Sequence, residues 1–250
     1  MLNQHELELY SRNILLDEIQ EAGQLKLFQA KILVIGVGGL GSAVTQYLAC
    51  AGIRNLGIID NDIVELSNLQ RQILHDHATI GKLKTDNAKN KLLQLNPKIN
   101  LEIFNFRANY KNLLEIIKNY DLIIDATDNF PTRFAINSAC YAQKKPLVFG
   151  AVQGFKGQLA IFSAYEANKP CYACFNPNIV DENFSLPLKE KAILGAVAGT
   201  IGAMQATYAI KYILNIDKDL TNNILLFDFL KNNMRKVKIQ KNPNCQICKS

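Results

Sequence analysis

Four glycines, Gly36, Gly38, Gly39 and Gly41, join a short apolar run, Lys31 to Gly36, to an apolar-periodic segment that ends near Ala51. A strand, tight turn and helix built this way let backbone approach a phosphate closely. The helix start then offers the anion free amides and the positive end of its dipole. Asp60 lies 24 residues after Gly36, at the end of the next apolar run, where a carboxylate accepts hydrogen bonds from ribose hydroxyls. Nicotinamide, flavin and other nucleotide sites share these two features, so the residues downstream must discriminate among them.

Downstream comes SNLQRQ, which places Ser67, Asn68, Gln70, Arg71 and Gln72 straight after a strand-end loop. A dehydrogenase has no use for such a run. Arg71 and the later Lys84 are cationic donors suited to phosphate oxygens, the guanidinium as a bidentate clamp and the ammonium as a point charge. Taken singly, each also reads as a solvated surface charge. The segment DLIIDATDN brings Asp125, Asp128 and Asn129 to the carboxyl edge that carries Asp60, and a carboxylate beside polyphosphate commonly holds magnesium. The plain alternative for Asp128 or Asn129 is helix capping.

Two CxxC pairs, Cys171 with Cys174 and Cys245 with Cys248, stand 71 residues apart. Each pair supplies two thiolates from one tight turn, the pattern of a closed four-thiolate zinc site that staples distant segments together. Disulfides and a dithiol redox pair are the competing readings. Cys50 and Cys140 read as small core hydrophobes.

The elements that must position these groups alternate. Strands are expected at Lys31–Gly36, Leu56–Asp60, Ile99–Phe104, Leu122–Asp125 and Leu147–Gly150, with helices between them and a helical segment, Glu6 to Phe28, in front. Alternation of this kind predicts an α/β fold with a Rossmann-like, doubly wound, mostly parallel sheet. Strands at Gln158–Ser163, Ile224–Asp228 and Arg235–Gln240 predict an antiparallel C-terminal extension.

The chain has 250 residues, 48% hydrophobic and 20% charged, with no linker-like tract, which is globular rather than disordered composition. The stretch Ala192 to Ile210 carries no formal charge, but its Ala, Gly, Thr and Gln content suits a helix in a core or subunit interface better than a membrane span. A net charge of +6 is scattered, with no basic run of five or more residues, so nucleic acid is not an expected partner. The N-terminus lacks the pattern of a secretory signal, and a cytoplasmic location is expected.

Together YSRNILL (10–16), GVGGLG, DNDIVELSNLQRQ, ATDN and the CxxC pairs resemble the MoeB/ThiF family, relatives of the ubiquitin-activating enzymes. The resemblance covers essentially the whole chain as a single adenylation domain: an N-terminal helical segment (1–29), a nucleotide-binding half (30–150) and a carrier-binding and zinc half (151–250). It implies a nucleotidyltransferase that uses ATP and magnesium to adenylate the C-terminal glycine of a small ubiquitin-like sulfur carrier ending in Gly-Gly. Molybdopterin or thiamin thiazole synthesis would be the pathway. By this likeness Arg71, Lys84 and Asp128 match catalytic positions, and Arg12 matches an arginine that a neighbouring protomer contributes, so a homodimer is implied. Nucleotide contacts fall to the glycine turn and Asp60, Asp62, Ser67, Asn68, Leu69, Gln70, Arg71, Lys84, Asp128 and Asn129. A carboxylate nucleophile is already ionised at neutral pH, so positioning and charge neutralisation carry the chemistry without a general base.

The chain departs from the family pattern in one respect. Many members carry a cysteine before the long helix, but Phe175 to Leu194 contains none, the matching position being Leu188, with Ala192 and Ala196 in place of a usual glycine and proline. Adenylation without a cysteine-linked intermediate is expected, with sulfur delivered by a separate sulfurtransferase or cysteine desulfurase. A nicotinamide-dependent oxidoreductase, a non-catalytic zinc-stapled scaffold, and adenylation of a carboxylate on modified transfer RNA remain as alternatives.

Overall fold

A computed structural model describes residues 1–177, 192–216 and 219–249. Eight strands form one sheet in the order β3-β2-β1-β4-β5-β6-β7-β8. The strands are β1 (Lys31–Ile35), β2 (Asn55–Ile59), β3 (Asn100–Phe104), β4 (Leu122–Asp125), β5 (Leu147–Gln153), β6 (Lys156–Phe162), β7 (Asn223–Asp228) and β8 (Asn233–Lys238). β3 to β5 in this order pair parallel, and β6, β7 and β8 continue antiparallel. KILVI, NLGII and LIID are buried along almost their whole length, as strands covered by helices on both faces must be.

One face carries α3 (Gln20–Gln29), α4 (Gly39–Cys50), α5 (Lys84–Leu95) and α9 (Gly195–Leu214), packed around Leu27, Val44, Leu48, Leu92 and Ile201. The other carries α6 (Tyr110–Ile117), α7 (Phe130–Ala142) and the short α8 (Tyr172–Phe175), around Leu113, Ile136, Phe149 and Tyr172. The uncharged stretch from 192 to 210 begins α9, which lies against α4, β5 and β6. Small residues allow the close approach: a Cβ on Gly202 would lie 2.4 Å from the Leu40 carbonyl oxygen. No helix among the described residues is long and apolar enough to cross a membrane.

Three features differ from the sequence-based expectation. The N-terminal helical segment is three pieces, α1 (Gln4–Leu9), α2 (Ser11–Ile14) and α3, with Gln20 at φ 53 where the chain re-enters helix. β5 runs on to Gln153 and returns through Gly154 (φ 57) as a hairpin with β6. Cys50 is not a core hydrophobe: it is exposed in the last turn of α4, while Cys140 is buried as expected. Leu188 lies outside the described residues.

Candidate active site

The glycine turn between β1 and α4 is the hub, because its residues meet the loops after β2 and β4 and the SNLQRQ segment. Gly36 has φ +91, and a Cβ there would stand 2.8 Å from the Ala126 carbonyl oxygen in the β4 loop. Val37 donates its N–H to Asp60 Oδ2 at 2.9 Å. A Cβ on Gly38 would reach Gln72 Nε2 at 3.5 Å, and one on Gly39 would reach Arg71 Cγ at 3.6 Å. Gly41 sits inside α4, and its missing side chain lets the helix close on Gly36, whose carbonyl oxygen a Cβ would meet at 2.0 Å. Only hydrogen fits there. Gly41 thus seats the helix on the turn, and the first-turn amides of α4, which have no carbonyl four residues back, open at its mouth.

Asp60 is half-buried at the end of β2 and bridges the amides of Val37 and Asp62. Burial pushes its carboxyl above the usual range, while those two backbone N–H groups and the Lys84 charge pull it down. Lys84 opens α5, a poor place for a cation because the helix dipole is positive there. Its side chain is only 6% exposed and its ammonium pairs with Asp62 at 2.8 Å, although Asp62 itself is 59% exposed. A buried lysine at a helix N-terminus disfavours folding and suits the capture of an anion.

The SNLQRQ segment is a turn of 3-10 helix followed by a tight loop. Asn68 is buried and accepts from the Glu65 N–H at 3.2 Å, and Ser67 offers its carbonyl to Arg71 Nη1 at 2.9 Å. Arg71 is half-buried and steered by that bond, while Leu69 is half-buried and Gln70 exposed. The start of α9 braces this loop, since a Cβ on Gly195 would lie 2.3 Å from the Gln70 carbonyl oxygen.

At the end of β4, Asp125 is buried and accepts from Thr127 N at 2.9 Å and Thr127 Oγ1 at 2.7 Å. Desolvation raises its pKa, opposed first by the Arg133 charge. Arg133, in α7, donates to the Thr127 carbonyl at 2.8 Å, and Gln205 in α9 donates to the Asp125 carbonyl at 2.7 Å. Asp128 is exposed in the same loop, whose Ala126 packs against Gly36. Asn129 accepts from Thr132 N at 3.0 Å as the N-cap of α7, so its side chain performs the capping role weighed from sequence.

Arg12 stands apart from these residues. It is exposed on α2, whose Asn13 bonds Gln24, which in turn bonds the Ala51 carbonyl at the far end of α4. Twelve helical residues separate that end from the glycine turn, about 18 Å.

The four cysteines converge although they come from α8 and the C-terminal tail. Sγ separations are 3.9 Å for Cys171 to Cys174, 3.6 Å for Cys171 to Cys245 and 3.4 Å for Cys174 to Cys248, with all four within 4.8 Å of one another. Tetrahedral zinc–thiolate bonds of about 2.3 Å put sulfurs roughly 3.8 Å apart, whereas a disulfide requires about 2.05 Å. The donor set therefore fits a four-thiolate metal. Asn242 N also points at Cys174 Sγ at 3.4 Å, and Tyr172 N donates to Asn137 Oδ1, tying the knuckle to α7.

Four residues with structural claims on the site drew no site assignment from sequence: His75, Asn87, Arg133 and Gln205. Each acts on a backbone atom or another side chain beyond its own turn, as Arg133 does on Thr127, six positions earlier, and His75 on Val37, 38 positions earlier. No local pattern marks them.

A model of the ThiF family matches residues 10–247. The chain belongs to the ThiF family. This ThiF-family chain is 38% identical to the molybdopterin-synthase adenylyltransferase of Escherichia coli K12, over 99% of its own length and 98% of that protein. It is likewise 38% identical to the sulfur carrier protein adenylyltransferase of Thermus thermophilus, over 97% of its own length and 91% of that protein. Identity reaches 42% with the adenylyltransferase and sulfurtransferase MOCS3 of Culex quinquefasciatus, but the chain spans only 56% of that protein. It covers about half the length of several such curated relatives. Among solved structures, E. coli MccB shares the fold with a TM-score of 0.84 at 24% identity, over 99% of this chain and 76% of MccB.

Proposed function

We propose that this ThiF-family chain is an ATP-dependent adenylyltransferase that activates the C-terminal glycine of a ubiquitin-like sulfur carrier as an acyl-adenylate. Pyrophosphate is the other product. The observation that carries this reading is the gathering of Asp60, Arg71, the Lys84–Asp62 pair and the Asp128 loop around one glycine turn. Full-length relatives named for this activity at 38% identity support it.

In the reaction a carboxylate oxygen of the carrier tail forms a bond to the α-phosphorus while the bond to the bridging oxygen of pyrophosphate breaks. Two anions must meet, so the residues' task is neutralisation and alignment. The α4 amides take phosphate oxygens, Asp60 takes the ribose, Arg71 and Lys84 take developing charge, and Asn68 keeps the Arg71 loop in shape. Ser67, Leu69 and Gln70 contribute contacts from that loop. Asp128 is the ligand offered to magnesium, which when bound adds charge neutralisation at the phosphates. Zinc fits the four cysteines as a closed structural site that fastens the C-terminal tail.

Arg12 lies too far from its own turn to serve it, so it acts in a second copy of the chain. Leu9, Leu15 and Leu16 around it, and Leu66 and Ile73 on the outer loop of the site, are large exposed apolar side chains suited to that homodimer. The segments 1–29, 30–150 and 151–250 then work as one adenylation unit, with the last contacting the carrier. The name of the E. coli relative favours a MoaD-like carrier and molybdopterin synthesis over a ThiS-like one. A separate sulfurtransferase or desulfurase supplies sulfur in a cytoplasmic setting, since the segment before α9 lacks cysteine. A nicotinamide oxidoreductase would leave Arg71 and Lys84 without a role.

The test is carrier-dependent exchange of labelled pyrophosphate into ATP, with MoaD-like and ThiS-like carriers in parallel. Exchange with one of them supports the reading. Exchange with neither, under conditions where ATP binds, refutes it.

A further inference from the structure

The backbone of Val37 is gripped from both sides. Its N–H donates to Asp60, and its carbonyl oxygen lies 3.1 Å from His75 Nε2. A carbonyl can only accept, so Nε2 carries hydrogen. The other ring nitrogen, Nδ1, is 2.7 Å from Asn87 Nδ2, and the same amide nitrogen donates to the Leu74 carbonyl at 3.0 Å. That second bond fixes which end of the Asn87 amide faces the ring, leaving Nδ1 as the acceptor. Both nitrogens are committed, and only the neutral imidazole satisfies both partners.

His75 and Asn87 are 6% and 4% exposed. Burial depresses the His75 pKa, and Lys84 on α5 adds to this, while the Val37 bond and Asp76 oppose it. Asp76 is itself paired with Lys91 of α5 at 2.8 Å, and Asp60 stands on the opposite side of Val37. A cavity of about 200 Å³ is lined in part by Gln46, Ile73, His75, Asp76 and Lys91.

We propose that His75 is a positioning residue for the nucleotide: as a neutral, Nε2-protonated imidazole held by Asn87, it fixes the Val37 carbonyl and so the amides of the glycine turn. A proton added at Nδ1 faces the Asn87 N–H, donor against donor. A turned Asn87 amide would give up its bond to the Leu74 carbonyl, so the ring swings instead, and the grip on Val37 is lost. This proposal rests on the reading that the turn binds ATP phosphates.

The test combines amide hydrogen exchange of the turn in ATP-free protein with calorimetric ATP affinity at about pH 8 and about pH 6, on either side of the ordinary histidine range. His75→Phe removes the donor, and His75→Gln keeps an N–H near the Nε2 position without a titrating ring. For His75→Phe, faster exchange at residues 36–39 and about 10-fold weaker ATP binding are expected, the loss of one buried hydrogen bond. The affinity of that variant for the carrier stays at the wild-type value. His75→Gln restores affinity and removes the part of the acid weakening that wild type shows. Unchanged exchange in His75→Phe, or wild-type acid sensitivity in His75→Gln, overturns the proposal. Wild-type protein that binds no ATP at either pH refutes the adenylation reading instead, and is distinguished by the exchange data.

Discussion

Replacing Gly41 with alanine tests how tightly the fold ties α4 to the phosphate turn. The added Cβ would meet the Gly36 carbonyl oxygen at 2.0 Å, a backbone atom with no flexible end to move aside. Ordinary van der Waals distance requires roughly 1 Å of separation between helix and turn. Neither side yields freely: α4 is backed by α9, where Gly202 meets Leu40, and Gly36 is pressed against Ala126. Overpacking of this kind costs typically 1–3 kcal/mol, and contact with backbone on both sides places Gly41→Ala near about 3 kcal/mol. For a chain of this size that lowers the melting temperature by about 6–12 °C. A 1 Å displacement of the amides that hold phosphate also costs about 100-fold in kcat/KM for pyrophosphate exchange. Gly199→Ala is the control, because nothing lies within 4 Å of its Cβ and it sits inside α9, past the first turn. It should stabilise by up to about 1 kcal/mol through helix propensity alone. Thermal unfolding by circular dichroism and the exchange assay read both variants. A Gly41→Ala protein that melts with wild type and keeps its exchange rate would refute the reasoning.

Lys84→Met should cost activity without costing stability. Its partner Asp62 is exposed and rehydrates, and a cation leaves the positive end of α5, so the melting temperature holds or rises while exchange falls at least about 100-fold. A parallel loss of both would contradict this assignment. Chelation, or Cys248→Ser, should release one zinc per chain in a colorimetric assay and expose residues after 239 to proteolysis; an unchanged digest would show that the cysteines do not fasten the tail. Glu6 is held at about 2 chiefly by Lys98, with the Asn3 N–H and Arg54 also contributing. Its folded pKa lies below the unfolded one, so its contribution is present above about pH 4.5 and disappears as pH falls towards 2. Protection of the α1 and α2 amides, relative to the unfolded chain at the same pH, should therefore fall across that window in wild type and already be low at neutral pH in Glu6→Ala.

The parallel half of the fold was legible because doubly covered strands such as LIID are continuous apolar runs, and the ends of β1 to β4 fall within one residue of the expected ones. The β5–β6 hairpin was less so, since its turn depends on Gly154 adopting positive φ and its pairing on β7 arriving from beyond α9. Cys50 was misjudged because α4 is apolar nearly all round, and helical phase only at its last turn separates an exposed residue from a buried one. At the site, the glycines, Asp60, Arg71, Lys84 and Asp128 stood out by residue type. The bonds of His75 to Val37 and Arg133 to Thr127 did not, because hydrogen bonds to backbone leave no mark on the sequence.

The central claim is that this pocket joins a peptide's C-terminal carboxylate to AMP. Mass spectrometry of a MoaD-like carrier incubated with the protein, ATP and magnesium measures that product directly. The carrier should be heavier by one adenylyl group, lost on treatment with hydroxylamine and absent when Arg71 is replaced by alanine. Carrier of unchanged mass with ATP bound, or adenylate formed equally well by Arg71→Ala, would contradict the claim.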